Sequence, residues 1–544
     1  MDDHGWWRGA VIYQIYLPSF LDANGDGLGD LPGVHDRLSY IADMGVDAIW
    51  ISPFFRSPMQ DSGYDVADYR AIDPVFGTDR DFDRIIATAH RLGLRVLIDQ
   101  VWSHSSVDHA WFQASRQDRY NAKSDWYIWA DPREDGTPPN NWLAVFGGSA
   151  WQWCAVRRQY YLHHFLVSQP KLNLRNESVL AEHFATAEFW LSRGVDGFRL
   201  DAVDFMLHDE NLRDNPQRPI LPGPPPWNPF RMQEHCYDMS HPDAVGLISR
   251  IRRFMDRFPG KTTLGEVSSE PGALDRVAAL TTGGIGLHMA YTLGVMKTAF
   301  TASAFRQALL DGDRLNRDGW LCWAFSNHDV DRVVSRWNPG NIEPAALARL
   351  QAALLLTLPG SACLFQGEEL GLPNASVPIA AMHDPYGKAF YPAFGGRDGA
   401  RTPMPWRSNV ANSGFSEAAE LWLPLAAEHD ALAVDRQLSD RHSILSTYRR
   451  LLAWRKQHPV LWNGDLTLFD CHDAALHDVV LAFERRSDPD AVIAIFNLSA
   501  EPVTLPSASF PDYEIFEDLD IAVAPENGQL RLPPYGISLG VPRP

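Results

Sequence analysis

Eight short apolar runs, separated by stretches with a helical pattern, recur along this chain of 544 residues. They lie at residues 10–16, 46–51, 94–99, 197–202, 262–267, 286–290, 321–325 and 362–365. Nearly continuous apolar runs are typical of parallel strands that are covered on both faces. Residues 82–92 place Phe82, Ile85, Ile86 and Ala89 on one helical stripe. Eight such strand–helix units predict an α/β fold, the (β/α)8 or TIM barrel.

Two long segments interrupt this repeat. Residues 105–172 follow the third strand, are rich in Trp, Tyr and Asn, and show no strand–helix unit, so we expect an inserted B domain there. Residues 207–242 contain Leu-Pro-Gly-Pro-Pro-Pro-Trp at 221–227, and these prolines exclude a regular helix. As a long loop after the fourth strand, this segment should lie at the end of the barrel that carries active sites.

The last part of the chain changes its pattern. An amphipathic helix is predicted to end at His458, which precedes a proline. Residues 479–483 and 492–496 are then typical of strands, and the turn-forming residues 487–490 separate them. We therefore expect a C-terminal antiparallel β domain. The predicted boundaries are 1–104 and 173–465 for the barrel, 105–172 for the B domain and 466–544 for the C-terminal domain.

Charge and composition exclude several classes of partner. The formal net charge of −20 disfavours nucleic acid and anionic membrane surfaces, whereas a neutral substrate is compatible with it. The five cysteines are far apart and form no CxxC pair, so no disulfide framework is expected. The N-terminus is acidic and lacks an apolar signal core, and no apolar run approaches 18 residues. We predict a cytoplasmic protein, either a monomer or a homodimer.

Carboxylates follow several of the predicted strands. Asp99, Asp201, Glu266 and Asp329 lie at strand ends, and Glu368 lies three residues after the eighth run. In a (β/α)8 barrel, polar residues at the carboxyl ends of strands are typical of catalysis. Retaining glycoside hydrolysis needs a nucleophile and an acid/base whose carboxyl groups are about 5–5.5 Å apart. A third carboxylate can orient the sugar, so this series is suited to cleaving a glycosidic bond.

Arg199 precedes Asp201 by two residues, so both side chains should point to the same face of a strand. Its fixed positive charge is expected to keep Asp201 ionised. The alternative interpretation is a purely structural ion pair beneath the barrel.

Seven segments together resemble the α-amylase superfamily of glycoside hydrolases (family 13), in its group of α-glucosidases and oligo-1,6-glucosidases. The resemblance covers most of the chain in the expected order. The segments are residues 99–104, 169–173, 197–202, Glu266, 327–329, 367–371 and 396–406.

The resemblance implies a role for each of the three acids. Asp201 would attack the anomeric carbon and form a covalent β-glucosyl intermediate. Glu266 would protonate the leaving oxygen and then deprotonate the acceptor. Asp329 would hold the sugar hydroxyls. Arg401 would join Asp61 in closing the pocket, and Phe146 and Phe165 would either form apolar walls or pack in the core. The full set of implied substrate-binding residues is Asp61, Tyr64, His104, Phe146, Phe165, Arg199, His328 and Arg401.

An acidic loop at residues 22–30 places oxygen ligands at alternate positions, like the first half of an EF-hand. Gly33 stands where an EF-hand would carry glutamate, and the alternative interpretation is an acidic turn. The resemblance implies one structural calcium or magnesium ion there and no organic cofactor. Ser103 replaces the asparagine of the family's first signature, which makes a second calcium site near the B domain doubtful. The implied ligands are Asp22, Asn24, Asp26, Leu28 through its carbonyl, and Asp30.

Two features bear on the substrate. Within this group, alanine after the nucleophile, here Ala202, goes with α-1,4 cleavage, although one side chain discriminates weakly. If residues 207–242 cover the exit of the cleft, long chains could not fit, so we expect exo-action on maltose-sized sugars. Sugars or alcohols are expected acceptors beside water.

Other functions stay open at this point. An oligo-1,6-glucosidase, a sucrose hydrolase, a trehalose synthase or an isomaltulose synthase would share these motifs. A non-catalytic transporter-associated relative would carry a membrane span and incomplete acids, neither of which the sequence shows. A plain sugar-binding protein would not need Asp201 and Glu266 together.

Overall fold

The computed structural model describes residues 5–219, 223–268, 271–338, 340–470 and 474–543. Eight parallel strands form one sheet: β1 (Val11–Ile15), β2 (Ala48–Ile51), β3 (Arg95–Gln100), β4 (Gly197–Leu200), β5 (Thr262–Val267), β6 (Met289–Thr292), β7 (Cys322–Ala324) and β8 (Ser361–Phe365). Their order in the sheet is β6-β5-β4-β3-β2-β1-β8-β7, and a parallel bridge between Ala290 and Leu321 joins its two edges. The sheet therefore closes into a barrel, and the predicted fold class is confirmed.

A helix follows each strand and covers the outside of the barrel. The predicted stripe on the second helix is correct, since Phe82, Ile85, Ile86 and Ala89 are all buried. A capping box at Thr78 satisfies the first backbone amides of this helix. The helices are α1 (Leu31–Met44), α2 (Asp79–Arg91), α3 (Glu177–Ser192), α4 (Ala244–Met255), α5 (Ala273–Thr281), α6 (Ala302–Asn316), α7 (Pro344–Thr357) and α8 (Ile444–Gln457).

The barrel strands are buried on both faces, which explains their nearly continuous apolar sequences. One cluster of side chains, including Trp50, Leu97, Leu264 and Tyr291, packs together on one face of the strands, and a larger cluster packs between the strands and helices. The four described cysteines are free thiols, and three of them are buried. Cys471 lies outside the described residues.

The segment after β3 contains its own small elements. A helix at Ala110–Ser115 is followed by strands at Trp129–Ala130, Trp151–Cys154 and Gln159–Leu162, which form an antiparallel sheet with the last strand in the middle. The segment after β4 is irregular. Within the described part of 207–242, the only helix or strand is the short 3-10 helix Pro229–Met232. Residues 220–222 of the proline-rich sequence lie outside the described residues.

The C-terminal part is an antiparallel β structure, as predicted. Val480–Ser487 and Asp490–Asn497 form a hairpin in which Ser487 pairs with Asp490. The sheet order is Asp465–Leu468, Val480–Ser487, Asp490–Asn497, Ile537–Pro542 and Tyr513–Ile515. Further short elements are the strand pairs Val503–Pro506 with Gln529–Leu532 and Phe55–Arg56 with Asp68–Ile72, and the helices Leu293–Met296, Val333–Arg336, Pro385–Phe390, Val434–Leu438 and Val460–Asn463.

No helix in the described ranges combines the length and the apolar character needed to cross a bilayer.

Candidate active site

One buried arginine joins the carboxylates at the ends of three neighbouring strands. Nη1 of Arg199, on β4, lies 2.9 Å from Oδ1 of Asp99 and 2.7 Å from Oδ1 of Asp201. Nη2 of Arg199 lies 2.7 Å from Oε2 of Glu266 on β5. Charge-assisted bonds from one rigid guanidinium fix the relative positions of all three acids. The predicted pairing of Arg199 with Asp201 is therefore part of a larger network.

The three acids differ in what else they contact. Asp99 Oδ2 accepts hydrogen bonds from the Tyr64 hydroxyl at 3.0 Å and the Trp50 indole at 3.2 Å, so Asp99 is enclosed beneath the site. Glu266 Oε1 lies 3.3 Å from the hydroxyl of Tyr291, which also accepts a bond from Arg199. Asp201 and Glu266 line the cavity above, whereas Asp99 does not.

Asp329, which follows β7, is held by two arginines. Its Oδ1 lies 2.8 Å from Nη1 of Arg397 and 3.0 Å from Nη2 of Arg401. Nη2 of Arg397 also lies 3.1 Å from Oδ1 of Asp61 and 2.7 Å from Oδ1 of Asp384. A carboxylate that is fixed by two guanidinium groups is suited to accepting hydrogen bonds from a sugar.

An aromatic stack forms the floor beside Asp329. The rings of Tyr64 and His328 are nearly parallel with centroids 5.2 Å apart, and Tyr16 also stacks on His328, at 5.5 Å. His104 lies nearby, with Nε2 3.1 Å from the carbonyl oxygen of Tyr64 and 3.3 Å from the amide of Gln169. Burial lowers the pKa of both His104 and His328 to about 3. Neutral imidazoles at these places can exchange hydrogen bonds with hydroxyl groups.

The acids open into one cavity of about 200 Å³. Its two ends differ in chemistry. One end carries the polar residues Asp61, Tyr64, His104, His328, Asp329 and Arg397. The rest of the lining includes an apolar wall of Ala202, Phe205, Phe230, Met239, Val145 and Leu293, which is interspersed with the polar residues Asp204, Asn228, Arg231, Ser268, Lys297 and Tyr386. The polar end is suited to gripping one sugar ring, and the apolar wall is suited to the less polar face of a leaving group or acceptor.

Burial changes the protonation of the two central acids. Burial raises the pKa of Asp201 to about 7, against the opposing charge of Arg199. Burial likewise raises the pKa of Glu266 to about 7, with Arg199 again opposing the rise. As expected, the charge of Arg199 lowers the pKa of Asp201 and favours its ionised form, but desolvation raises this pKa by more. Together the two carboxyls hold about one proton near neutral pH, as an acid and a nucleophile require.

A bell-shaped pH dependence is expected from this pair. The value of kcat/KM for an aryl α-glucoside should peak between about pH 6 and 8 and fall about tenfold per pH unit on each side. Loss of the shared proton causes the alkaline fall, and protonation of both groups causes the acid fall. Rates measured from pH 4.5 to 9.5 check this; an optimum below about pH 5 or above about pH 9 would contradict it.

The pKa of Asp329 is shifted in the opposite direction from those of Asp201 and Glu266. Burial opposes its ionisation, but His328, Arg397 and Arg401 outweigh burial and hold the pKa of this carboxyl well below its usual range. It is therefore ionised while the Asp201–Glu266 pair holds a proton. Asp329 thus differs in protonation from the Asp201–Glu266 pair, which suits a substrate holder beside two carboxyls that share one proton.

Most of the predicted site residues come together. Asp61, Tyr64, His104, Phe146, Phe165, Asp201, Glu266, His328 and Asp329 line the cavity. Arg199 and Arg401 lie just behind its surface, at 0% and 2% exposure. Glu368 lies elsewhere, buried beside the hydroxyl of Tyr448, and is not part of the site.

Two neighbouring arginines divide the contacts at the polar end of the cavity. The arginine that reaches Asp61 is Arg397, whereas Arg401 binds Asp329 and the carbonyl oxygen of His328. Both arginines belong to the motif at residues 396–406, so the motif indicated the segment but not which side chain reaches Asp61. Asp384 and Tyr291 carried no sequence signal, because their roles depend on contacts across the fold.

The acidic loop at residues 22–30 folds around its own backbone. Oδ1 of Asp22 accepts bonds from the amides of Asn24 and Gly25, and Oδ1 of Asp30 caps α1 at the amide of Gly33. Burial raises the pKa of Asp30 to about 6. The oxygen-only donor set suits calcium or magnesium. Among the residues described, no three Asp, Glu, His or Cys side chains converge on an ion position, and the cation stays a prediction.

Comparison with known proteins places this geometry in context. A sequence profile described as the alpha amylase catalytic domain matches residues 14–464. A probable α-glucosidase of Rhizobium meliloti (strain 1021) is 50% identical over 507 residues, covering 92% of this chain and 91% of that protein. The trehalose-6-phosphate hydrolase of Escherichia coli (strain K12) is 36% identical over 532 residues, covering 91% of each chain.

Solved structures show the same likeness. The α-glucosyl transfer enzyme XgtA superposes with a TM-score of 0.93 at 50% identity, covering 99% of this chain and 100% of that one. The trehalulose synthase MutB of Pseudomonas mesoacidophila MX-45 superposes with a TM-score of 0.86 at 30% identity, covering 98% and 99%.

Proposed function

Because the chain belongs to the α-amylase family of glycoside hydrolases, whose catalytic domain it matches over residues 14–464, we propose that it is a retaining exo-α-glucosidase acting on α-1,4 bonds of maltose-sized sugars. The observation that carries the proposal is the Arg199 network, which positions Asp201 and Glu266 at the wall of one cavity. Beside them lies the polar end of this cavity, which is suited to binding a single sugar ring. The relatives named as α-glucosidases support the same activity.

The chemistry divides into two steps. In the first, Glu266 donates its proton to the glycosidic oxygen while a carboxylate oxygen of Asp201 attacks the anomeric carbon, and the bond from that carbon to the leaving oxygen breaks. In the second, Glu266 removes a proton from water, the water oxygen attacks the same carbon, and the bond to Asp201 breaks. Two inversions give net retention, so glucose is released as the α-anomer.

Transfer to other hydroxyl groups is the second activity we propose. Phe205, Phe230 and Met239 form a buried apolar cluster on the leaving-group side. An alcohol that packs on this cluster can replace water in the second step. The likeness to XgtA, an α-glucosyl transfer enzyme, supports this proposal.

Product analysis tests both proposals. The purified protein is incubated with maltose, isomaltose, sucrose and trehalose, each with and without an alcohol acceptor, and every product is identified. We expect release of glucose from maltose in preference to the other sugars, and an alkyl α-glucoside when alcohol is present. NMR at early times should show α-glucose first. Initial release of β-glucose would refute retention, and turnover of sucrose or trehalose alone would refute the α-1,4 assignment.

Ala202 offers a narrower test of bond preference. It lines the cavity, donates its amide to Oε2 of Glu266 at 3.1 Å, and has a φ of 44°. Valine there adds bulk beside the leaving sugar and is strained at positive φ. We expect Ala202→Val to raise the isomaltose-to-maltose ratio of kcat/KM by about tenfold. Ala202→Gly, the matched control, should not favour isomaltose. An unchanged ratio in Ala202→Val would contradict a role in linkage preference.

A structural divalent cation at the loop of residues 22–30 is also proposed. Chelation followed by dialysis should lower Tm by several degrees, and calcium or magnesium should restore it, because a bound cation stabilises the folded state alone. Asp26→Asn should abolish the calcium-dependent rise, whereas Asp36→Asn, an exposed acid on α1, should leave it intact. Equal Tm values with and without the cation would contradict the site.

A further inference from the structure

We propose that Asn228 and Tyr386 are specificity-determining residues that hold the loop after β4 across the leaving-group side of the cavity. We call Asn228, Tyr386 and Val145 the latch. The inference rests on the proposed α-glucosidase activity and deepens it by naming what limits substrate length. Each latch residue comes from a different segment, and all three line the cavity.

The hydrogen bonds of Asn228 join these three segments. Its Nδ2 donates to the carbonyl oxygen of Val145, in the segment after β3, and to the hydroxyl of Tyr386, in the segment after β8, each at 2.9 Å. Its Oδ1 accepts the amide of Phe230, also at 2.9 Å, within its own loop. Asn228 is only 1% exposed, so both amide protons and the oxygen are satisfied inside the protein. Loss of this side chain leaves buried partners without bonds.

Aromatic packing supports the same closure from outside. Trp227 stacks on Phe394 at 5.0 Å and meets Phe390 edge-on at 5.1 Å. Tyr386 stacks on Phe146 of the segment after β3, also at 5.0 Å. Trp227 thus docks the loop after β4 on the segment after β8, and the Tyr386–Phe146 stack joins that segment to the one after β3.

The latch is also tied to the sugar-binding end of the cavity. Asp384 accepts the amide of Tyr386 at 3.0 Å and binds Arg397 at 2.7 Å. Arg397 in turn binds Asp329 and Asp61. One carboxylate therefore sets the position of Tyr386 relative to the residues that hold the terminal glucose. The distance from the glucose end to the latch is fixed by this chain of contacts.

The consequence concerns chain length. With the loop after β4 held across the leaving-group side, a leaving group longer than one sugar unit has to displace it. Opening the latch should therefore favour maltotriose and maltotetraose relative to maltose, and should leave the chemistry at Asp201 and Glu266 unchanged. An aryl α-glucoside, whose leaving group is one ring, serves as a second reference substrate that does not need the loop to move.

The test compares Asn228→Ala and Tyr386→Phe with wild type on an aryl α-glucoside, maltose, maltotriose and maltotetraose. We expect the maltotriose-to-maltose ratio of kcat/KM to rise about tenfold in Asn228→Ala and about threefold in Tyr386→Phe. The ratio of kcat/KM for maltotriose to that for the aryl glucoside should rise by the same factors, because the aryl leaving group is also a single ring. The double variant should not exceed Asn228→Ala, since the hydroxyl then has no amide to bind. Tyr391→Phe removes an exposed hydroxyl of the same segment and should change nothing.

The outcomes separate this inference from the proposed function. A ratio that stays unchanged in both variants, or an equal loss on every substrate, overturns the latch while wild-type maltose turnover upholds the α-glucosidase. Failure of wild type to act on both maltose and the aryl glucoside overturns the proposed function itself, and the latch with it. Should Asn228→Ala not fold, Tyr386→Phe alone decides, because it keeps the ring packing and deletes one oxygen.

Discussion

Replacing Asp201 with asparagine is expected to lower kcat by about 10⁴-fold or more while the protein remains folded. The amide keeps the size of the side chain but cannot form the glucosyl ester. Arg199 retains Asp99 and Glu266 as partners, so the network beneath the cavity persists. Steady-state rates on an aryl α-glucoside, with circular dichroism as the check on folding, measure this effect. Activity within tenfold of wild type would remove Asp201 from the role of nucleophile.

The same variant should be at least as stable as wild type at pH 8. Burial raises the folded-state pKa of Asp201 to about 7 from its ordinary 3.8. The unfolded chain therefore releases this proton at lower pH than the folded chain does, so the native protein loses stability as the pH rises from about 4 to 7. Asparagine cannot ionise and escapes that loss. Thermal melts at pH 5 and pH 8 should show the advantage of Asp201→Asn growing with pH.

Asp99→Asn is the matched control for this variant. Asp99 binds the same nitrogen of Arg199 but does not line the cavity. Its loss perturbs the position of the guanidinium without removing a group that touches substrate. We expect a smaller fall in kcat than for Asp201→Asn. If the two variants fell equally, the effect would belong to Arg199 and its network rather than to a nucleophile.

The barrel could be predicted because its strands are buried on both faces, which makes each one an apolar run in the sequence. The sixth run shows the limit of that argument. The sequence predicted a strand at 286–290, whereas β6 is Met289–Thr292. Gly286 lies in the turn after α5, where a Cβ atom would be 2.3 Å from the carbonyl oxygen of Leu280. Close packing of the turn, which is not visible in hydrophobicity, delays the start of the strand.

The catalytic acids were also accessible from sequence, because each stands at or shortly after the carboxyl end of a strand of the barrel. The contacts between loops were not. Asp384 orients Arg397 from 13 residues away, and Asn228 meets Tyr386 across 158 residues. Polar residues in irregular segments have no periodic pattern that pairs them. The contact of Asp384 with Arg397 determines that this arginine, and not Arg401 of the same motif, reaches Asp61. Only the three-dimensional arrangement reveals this contact.

Glu266→Gln should produce a loss that depends on the leaving group. Glutamine cannot donate a proton, so kcat/KM on maltose is expected to fall by about 10³-fold, within the range for general acid catalysis. A dinitrophenyl α-glucoside needs no protonation of its leaving oxygen, and its first step should stay within about tenfold of wild type. The second step still lacks a base, so the glucosyl intermediate on Asp201 should accumulate. Mass spectrometry of the intact protein would detect this added glucosyl group.

Azide distinguishes the two acids by the stereochemistry of the product. In Glu266→Ala, azide needs no base; it attacks the intermediate opposite Asp201, and should give α-glucosyl azide. In Asp201→Gly, azide occupies the space of the lost carboxylate, displaces the leaving group directly, and should give β-glucosyl azide. NMR of the isolated products assigns the anomer. If Glu266→Ala gave the β-azide and Asp201→Gly the α-azide, Glu266 would be the nucleophile and Asp201 the acid/base. The reason is that the missing carboxylate determines the face from which azide attacks.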